Sequence, residues 1–288
     1  MTFSGVLVPL ITPFAADGEV AAEALEGLAH AVLGGGASGL VALGTTAEAA
    51  MLTEKERQAV IEVCARVCRE RGATLVVGAG SGGTRGTAEA LRDLGGVADA
   101  ALVTVPSFVR PGEAGVLAHF TELSRHSPVP LIVYNVPHRT GQAVGTAVLR
   151  EIGALPIVRG VKQAVGGVDA DTVALLADPP EDFAVLAGDD AFFSALLALG
   201  APGGVLATAH LRTADFAALA EAWRSGDAAR ARALGHRLSA LAAAVFAEPN
   251  PTVLKGVLHA RGAIPTPSVR LPLLPARHES VEAVLRLL

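Results

Sequence analysis

"PLIVYNVPHRTGQAVGTAVLREIGALPIVRGVKQA", residues 130–164, holds two short apolar runs separated by a segment with helical spacing. The runs "PLIVYNVP" (130–137) and "IVRGVKQA" (157–164) are almost continuously apolar, the pattern of strands covered on both faces. Strands of that kind lie parallel and need a crossover between them, usually a helix. The same unit recurs along the chain. Apolar runs begin at "GVLVPLITP" (5–13), "GLVALGTT" (39–46), "TLVVGAG" (74–80) and "AALVTVP" (100–106), and return at "FAVLAGDD" (183–190) and "GGVLATA" (203–209). Between them lie segments such as "TEKERQAVIEVCARVCRERG" with a 3.6-residue period. Eight strand-helix units point to a (β/α)8 TIM barrel rather than an open doubly wound sheet. After the eighth run the pattern is helical only. We therefore expect a barrel over 1–225 and a C-terminal helical extension over 226–288, without a Ser- or Pro-rich linker between them.

Composition narrows the function. The 288 residues are 51% apolar and 18% charged, enough for a large core and unlike a disordered chain. Gly, Pro or charge breaks every apolar run well short of the roughly 20 residues of a membrane span. The opening residues carry no basic region and no small-residue cleavage site, so "VLVPLITP" reads as a first strand and a cytoplasmic protein is expected. A net charge of −5 without basic runs argues against nucleic acid as a partner. Cys64 and Cys68 lie four apart on a helical pattern, with no further ligand at metal spacing. Buried small hydrophobes are the expected use.

In such a barrel the active site forms at the carboxyl ends of the strands. Reading the runs to their ends collects Thr45, Thr46, Ser107, Phe108, Tyr134, Arg139 and Lys162, with Asp189, Asp190 and His210 further on. Lysine is scarce, three against twenty arginines, which draws attention to Lys162 near the end of the sixth run. Burial disfavours an ammonium, and a neutral amine can attack a ketone to form an imine that withdraws electrons from the adjacent carbon. Alternation puts Gly160 on the same face, where it would leave room beside the amine. The plainer alternative is a stem packed on the rim with its head in water. Tyr134, the only tyrosine, lies one repeat earlier and so at similar height on the neighbouring strand. A phenol there can move the protons of imine formation, or simply fill the core with its hydroxyl on backbone. Thr45 and Thr46 offer hydroxyl and N–H donors suited to a carboxylate, or else cap a helix or turn.

Together "GTTAE", "YNVPHRTG", "GVKQA", "AGDD" and "AEPNPTVLK", in this order, resemble the dihydrodipicolinate synthase / N-acetylneuraminate lyase family of pyruvate-dependent class I aldolases. The motifs run from the second strand into the C-terminal helices. The resemblance implies a barrel, usually a homotetramer, that binds pyruvate as a Schiff base on Lys162. Tyr134 would shuttle protons, Thr45 and Thr46 would hold the pyruvate carboxylate, and Arg139 would pair with the carboxylate of an incoming aldehyde acid. Phe108 and Leu206 fall among the substrate-binding positions. No metal and no organic cofactor is implied, because the imine is the electron sink. A homo-oligomer, tetramer or dimer, is expected, with small molecules as the other partners.

Two departures stand out. Synthases of the family carry a tyrosine pair after strand four, the second reaching across a subunit interface to complete a proton relay; here Ser107 and Phe108 occupy those places. Phe108 keeps the ring and loses the proton. The family's lysine-feedback pocket also uses the first of those tyrosines and polar residues near positions held here by Ala49, Ala50 and Gly86, so feedback inhibition is expected to be absent. Other features read as decoys. "GAGSGG" (78–83) matches a dinucleotide-binding glycine loop, but the next strand ends without the required acid. Asp189 and Asp190 are expected to cap the seventh helix and hold loop groups, His210 to be a loop histidine, and "EPNP" to start a helix.

The leading reading is a synthase-like condensation of pyruvate with an aldehyde acid. An aldolase or dehydratase for a 4-hydroxy-2-oxo acid or sugar acid is the alternative within the class. A non-catalytic barrel sensing pyruvate or an amino acid, and a phosphate-binding barrel isomerase, are rivals outside it.

Overall fold

A computed structural model describes residues 3–80 and 82–288. Eight strands form as the apolar runs require: β1 Gly5–Pro9, β2 Gly39–Ala42, β3 Thr74–Gly78, β4 Ala100–Thr104, β5 Leu131–Asn135, β6 Val158–Gln163, β7 Ala184–Ala187 and β8 Gly203–Val205. They are hydrogen-bonded in sequence order and the barrel is closed. Helices separate the strands, and after β8 only helices follow, at Ala209–Arg224, Ala228–Val245, Thr252–Ala260 and His278–Leu285. Among the described residues no helix is long and apolar enough to cross a membrane.

The chain forms two compact units. One comprises Val76–Val205 with the segment ending at Gly5; the other comprises Val6–Leu75 with Leu206–Leu288. In the first, β5 and β6 pair in parallel with Tyr134 opposite Lys162 and Asn135 opposite Gln163. Because side chains alternate along a strand, the first pair and the second face opposite ways. Gly160 has a different reason from the one its position suggested. A Cβ there would lie 2.5 Å from the Ala184 carbonyl oxygen of β7, so the space is already taken by the neighbouring backbone rather than open beside an amine. The expectation of room is corrected: Gly160 allows β6 and β7 to approach.

In the second unit, the helix Glu54–Arg71 shows how the local sequence sets an element's ends. Thr53 accepts the Glu56 N–H while the Glu56 carboxylate accepts the Thr53 N–H at 2.7 Å, a reciprocal cap. Gly72 closes the helix at φ 62, where a Cβ would be strained. Cys64 and Cys68 lie buried on this helix and are not joined in a disulfide; the Cys68 thiol donates to the Thr74 carbonyl at 3.6 Å, and burial pushes the Cys64 thiol up to about 12. They are packing residues.

Candidate active site

Lys162 and Tyr134 are brought together by strand register. Each is 7% exposed, and the Lys162 ammonium stands 4.3 Å from the centre of the Tyr134 ring. A cation over an aromatic face is stabilised by the ring quadrupole, more so away from water. Among the described residues Lys162 forms no ion pair. Asp189 acts on it from a distance, and its own carboxyl is raised above the ordinary range, first by burial, against the Gly166 N–H bond and the charges of His138 and Lys162. Asp189 does not cap the helical turn Asp190–Phe192 that follows it; it accepts the Gly166 N–H at 2.7 Å instead. For Asp189 the capping half of that expectation fails, because its carboxylate is drawn to a loop N–H of the preceding strand's connection.

Behind the Lys162–Tyr134 pair is a second polar pair. The Asn135 amide donates to the Gln163 Oε1 at 3.0 Å and to the Val144 carbonyl at 3.3 Å, and the Gln163 amide donates to the Thr172 hydroxyl at 3.1 Å. All three side chains are buried. A paired amide ladder of this kind ties β5 to β6 one residue beyond Tyr134 and Lys162, so a register slip would break it. Sequence reasoning missed it, although "YN" and "KQ" at the same offset of the two runs carry the signal.

Arg139 lies in the short helix Pro137–Thr140 that leaves β5, and its side chain is exposed. Phe108 follows β4 in a loop, 95% exposed and at φ 68. Val109 beside it is exposed as well.

In the other unit, Thr45 and Thr46 open a 3-10 turn, Thr45–Ala47, directly after β2. Neither caps it with its side chain. Thr45 is exposed and Thr46 buried. The Thr46 hydroxyl oxygen accepts from the Asn250 amide at 2.9 Å. Leu206 is buried, its N–H donating to the Leu7 carbonyl at 3.0 Å. His210 is fixed by structure: its Nε2 accepts the Ile11 N–H at 3.3 Å and its Nδ1 bonds the Ala207 carbonyl at 2.8 Å. Both ring nitrogens are spent on backbone, and burial holds its pKa down to about 4. "EPNP" does precede a helix, Thr252–Ala260, but Asn250 also reaches back to Thr46, a role not read from the motif. The "GAGSGG" turn contains Ser81, which lies outside the described residues. Among those described, no group of three or more His, Cys, Asp or Glu side chains is placed to hold a metal ion.

A closed parallel barrel holds an amine against a phenol near its strand ends, where barrel enzymes carry their active sites. The model of the dihydrodipicolinate synthetase family matches residues 2–288. The chain is 36% identical to 4-hydroxy-tetrahydrodipicolinate synthase of Sorangium cellulosum, covering all of this chain and 97% of that one. Its fold superposes on dihydrodipicolinate synthase of Thermotoga maritima with a TM-score of 0.95 at 29% identity, over 100% of this chain and 98% of the other. The chloride-inhibited dihydrodipicolinate synthase of Acinetobacter baumannii complexed with pyruvate gives 0.93 at 32% identity, over 99% and 98%. The chain belongs to the dihydrodipicolinate synthetase family.

Proposed function

We propose that this protein binds pyruvate as an imine on Lys162 and condenses it with an aldehyde acid; its relatives named 4-hydroxy-tetrahydrodipicolinate synthase support a synthase reading. The observation that carries the reading is the buried Lys162 ammonium set over the Tyr134 ring on the adjacent strand. The amine adds to the ketone carbon, and loss of water gives the imine. Loss of a methyl proton then gives an enamine, whose carbon attacks the aldehyde, and water releases the product and restores the amine. Tyr134 passes protons at the carbinolamine oxygen and the methyl carbon. Thr45 and Thr46 hold the pyruvate carboxylate through hydroxyl and N–H donors. Arg139, exposed beside β5, takes the second substrate's carboxylate in its planar fork. Leu206 supplies an apolar wall. The lysine imine makes a metal or organic cofactor unnecessary.

Phe108 is read as belonging to an assembly. An almost fully exposed aromatic ring on a loop at positive φ suits burial against a second copy, in keeping with the homotetramer or dimer that the family resemblance implies. A cytoplasmic location fits the chemistry. The phenylalanine also favours a second reading: without the relay phenol the same imine can serve an aldolase or dehydratase acting on a 4-hydroxy-2-oxo acid. Incubation with pyruvate, borohydride reduction and peptide mass mapping test the first step. An adduct on Lys162 is expected, and its absence sinks the proposal. A screen of aldehydes with and without a carboxylate then separates the two readings.

A further inference from the structure

The turn that carries Thr45 and Thr46 is held from more than two hundred positions away. Glu48, directly after it, adopts a left-handed backbone at φ 57 and ψ 31, a conformation costly for any residue with a side chain. Such a residue persists only where its surroundings over-determine it. Here they do. The Glu48 side chain is wholly buried; one carboxylate oxygen accepts the Lys255 ammonium at 2.6 Å and the other accepts the Arg270 backbone N–H at 2.7 Å. Lys255, on the helix Thr252–Ala260, is 0% exposed and stands 4.0 Å from the centre of the Phe14 ring. The Arg270 guanidinium lies over the same ring and donates to the Met51 carbonyl at 3.0 Å. Thr12 donates its hydroxyl to the Ala47 carbonyl at 2.8 Å.

A buried ion pair is weak evidence for stability, because desolvation offsets much of the attraction and apolar residues of equal volume often serve as well. Its better-attested use is to select one conformation among several. The conformation selected here is that of the threonine turn. The Asn250 amide occupies a lone pair of the Thr46 hydroxyl, so the hydroxyl hydrogen is left for another acceptor. The remaining Asn250 oxygen is buried without a hydrogen-bond partner among the described residues, so this amide is not placed for the best stability of its own site.

We propose that Glu48, Lys255 and Asn250 are positioning residues that fix the Thr45–Thr46 turn for carboxylate recognition. The proposal rests on the reading above in which those threonines hold the pyruvate carboxylate. It requires a selective effect: binding of a carboxylate-bearing ketone should weaken while reaction at the amine does not.

The test uses the intact chain and two ketones, pyruvate and acetone, the second lacking the carboxylate. Native protein, Asn250→Ala and the double variant Glu48→Gln/Lys255→Met are titrated with each ketone, reduced with borohydride, and the labelled fraction of Lys162 is read by mass. The double variant removes both charges together, so neither is stranded, and the thermal midpoint is recorded for each protein. Half-maximal labelling by pyruvate should require about fivefold more ketone in Asn250→Ala and about tenfold more in the double variant. The labelling rate at saturation should stay within about twofold, and acetone labelling should be unchanged. A lowered thermal midpoint with unaltered pyruvate half-saturation would overturn the proposal, leaving these residues structural. Equal weakening for both ketones overturns it too. No adduct in the native protein defeats the underlying imine reading, and this inference with it.

Discussion

Two lysines in this protein are almost removed from water and each lies against an aromatic ring, yet their polar surroundings differ. Lys255 sits 4.0 Å from the Phe14 ring centre with the Glu48 carboxylate at 2.6 Å. Lys162 sits 4.3 Å from the Tyr134 ring centre and, among the described residues, has no ion-pair partner. A buried charge without a partner is expensive, and one with a partner is expensive only when the partner is taken away. Burial pushes the Lys255 pKa below its ordinary value while Glu48 pulls it back, so that amine is held by its partner and not presented to a substrate. Lys162 keeps a neighbour that can move protons instead of one that binds the charge. The comparison teaches that burial of a lysine alone says little; what distinguishes the two is the nearest polar neighbour, a carboxylate for Lys255 and a phenol for Lys162.

The sharpest way to break the comparison is to exchange the amines' side chains for apolar ones. Lys162→Met should abolish the borohydride-trapped pyruvate adduct and turnover while leaving the thermal midpoint unchanged or higher. Lys255→Met should do the reverse in kind. Stripped of its partner, the buried Glu48 should cost about 3–5 kcal/mol of stability, read from urea unfolding. If Lys255→Met folded as stably as the parent while Lys162→Met unfolded, the assignment of the two roles would be inverted.

Buried neutral groups sharpen the contrast on the pH axis. Burial holds His119 and His210 down to about 4, against about 6.5 in an unfolded chain. The unfolded state therefore takes up protons below pH 6.5 that the folded state refuses until about pH 4, so their contribution is complete above 6.5 and is lost as pH falls through that window. Each histidine contributes on the order of 3 kcal/mol at neutral pH. Glu56, held at about 2 chiefly by its bond to Arg270, loses its contribution in a lower window as it becomes protonated. Urea midpoints at pH 7, 5.5 and 4.5 should fall steadily in the parent and less steeply in His119→Gln; equal slopes would contradict a neutral buried His119.

The smallest expected effect concerns the ring that lost its oxygen. Phe108→Tyr should raise the rate of pyruvate condensation with an aldehyde acid by about tenfold if the missing phenol limits proton transfer. An unchanged rate would show that Tyr134 manages without it.

The barrel was legible because its signal is local. Near-continuous apolar runs and 3.6-residue spacing each act over a few residues, and parallel pairing turns an equal offset in two runs into spatial proximity. Tyr134 and Lys162 could be paired from text for that reason, as could Asn135 and Gln163 once the offset is noticed. His210 shows the limit. Its place after β8 reads as a loop histidine, whereas it lies in the first turn of the helix Ala209–Arg224 and two backbone bonds at 3.3 and 2.8 Å occupy its ring. Gly160 shows another, since the atom that demands its missing Cβ belongs to β7.

What the sequence by itself determined is the repeat, the strands that carry it and the lysine and tyrosine at their ends, since each follows from backbone geometry and short-range pattern. What only the tertiary structure decided is which buried lysine is partnered and which groups hold the threonine turn. Glu48 meets Lys255, and Asn250 meets Thr46, across separations of 207 and 204 residues. No local preference links positions so far apart. They meet because burying the C-terminal helices leaves a carboxylate and an ammonium no solvent, and each other as partner.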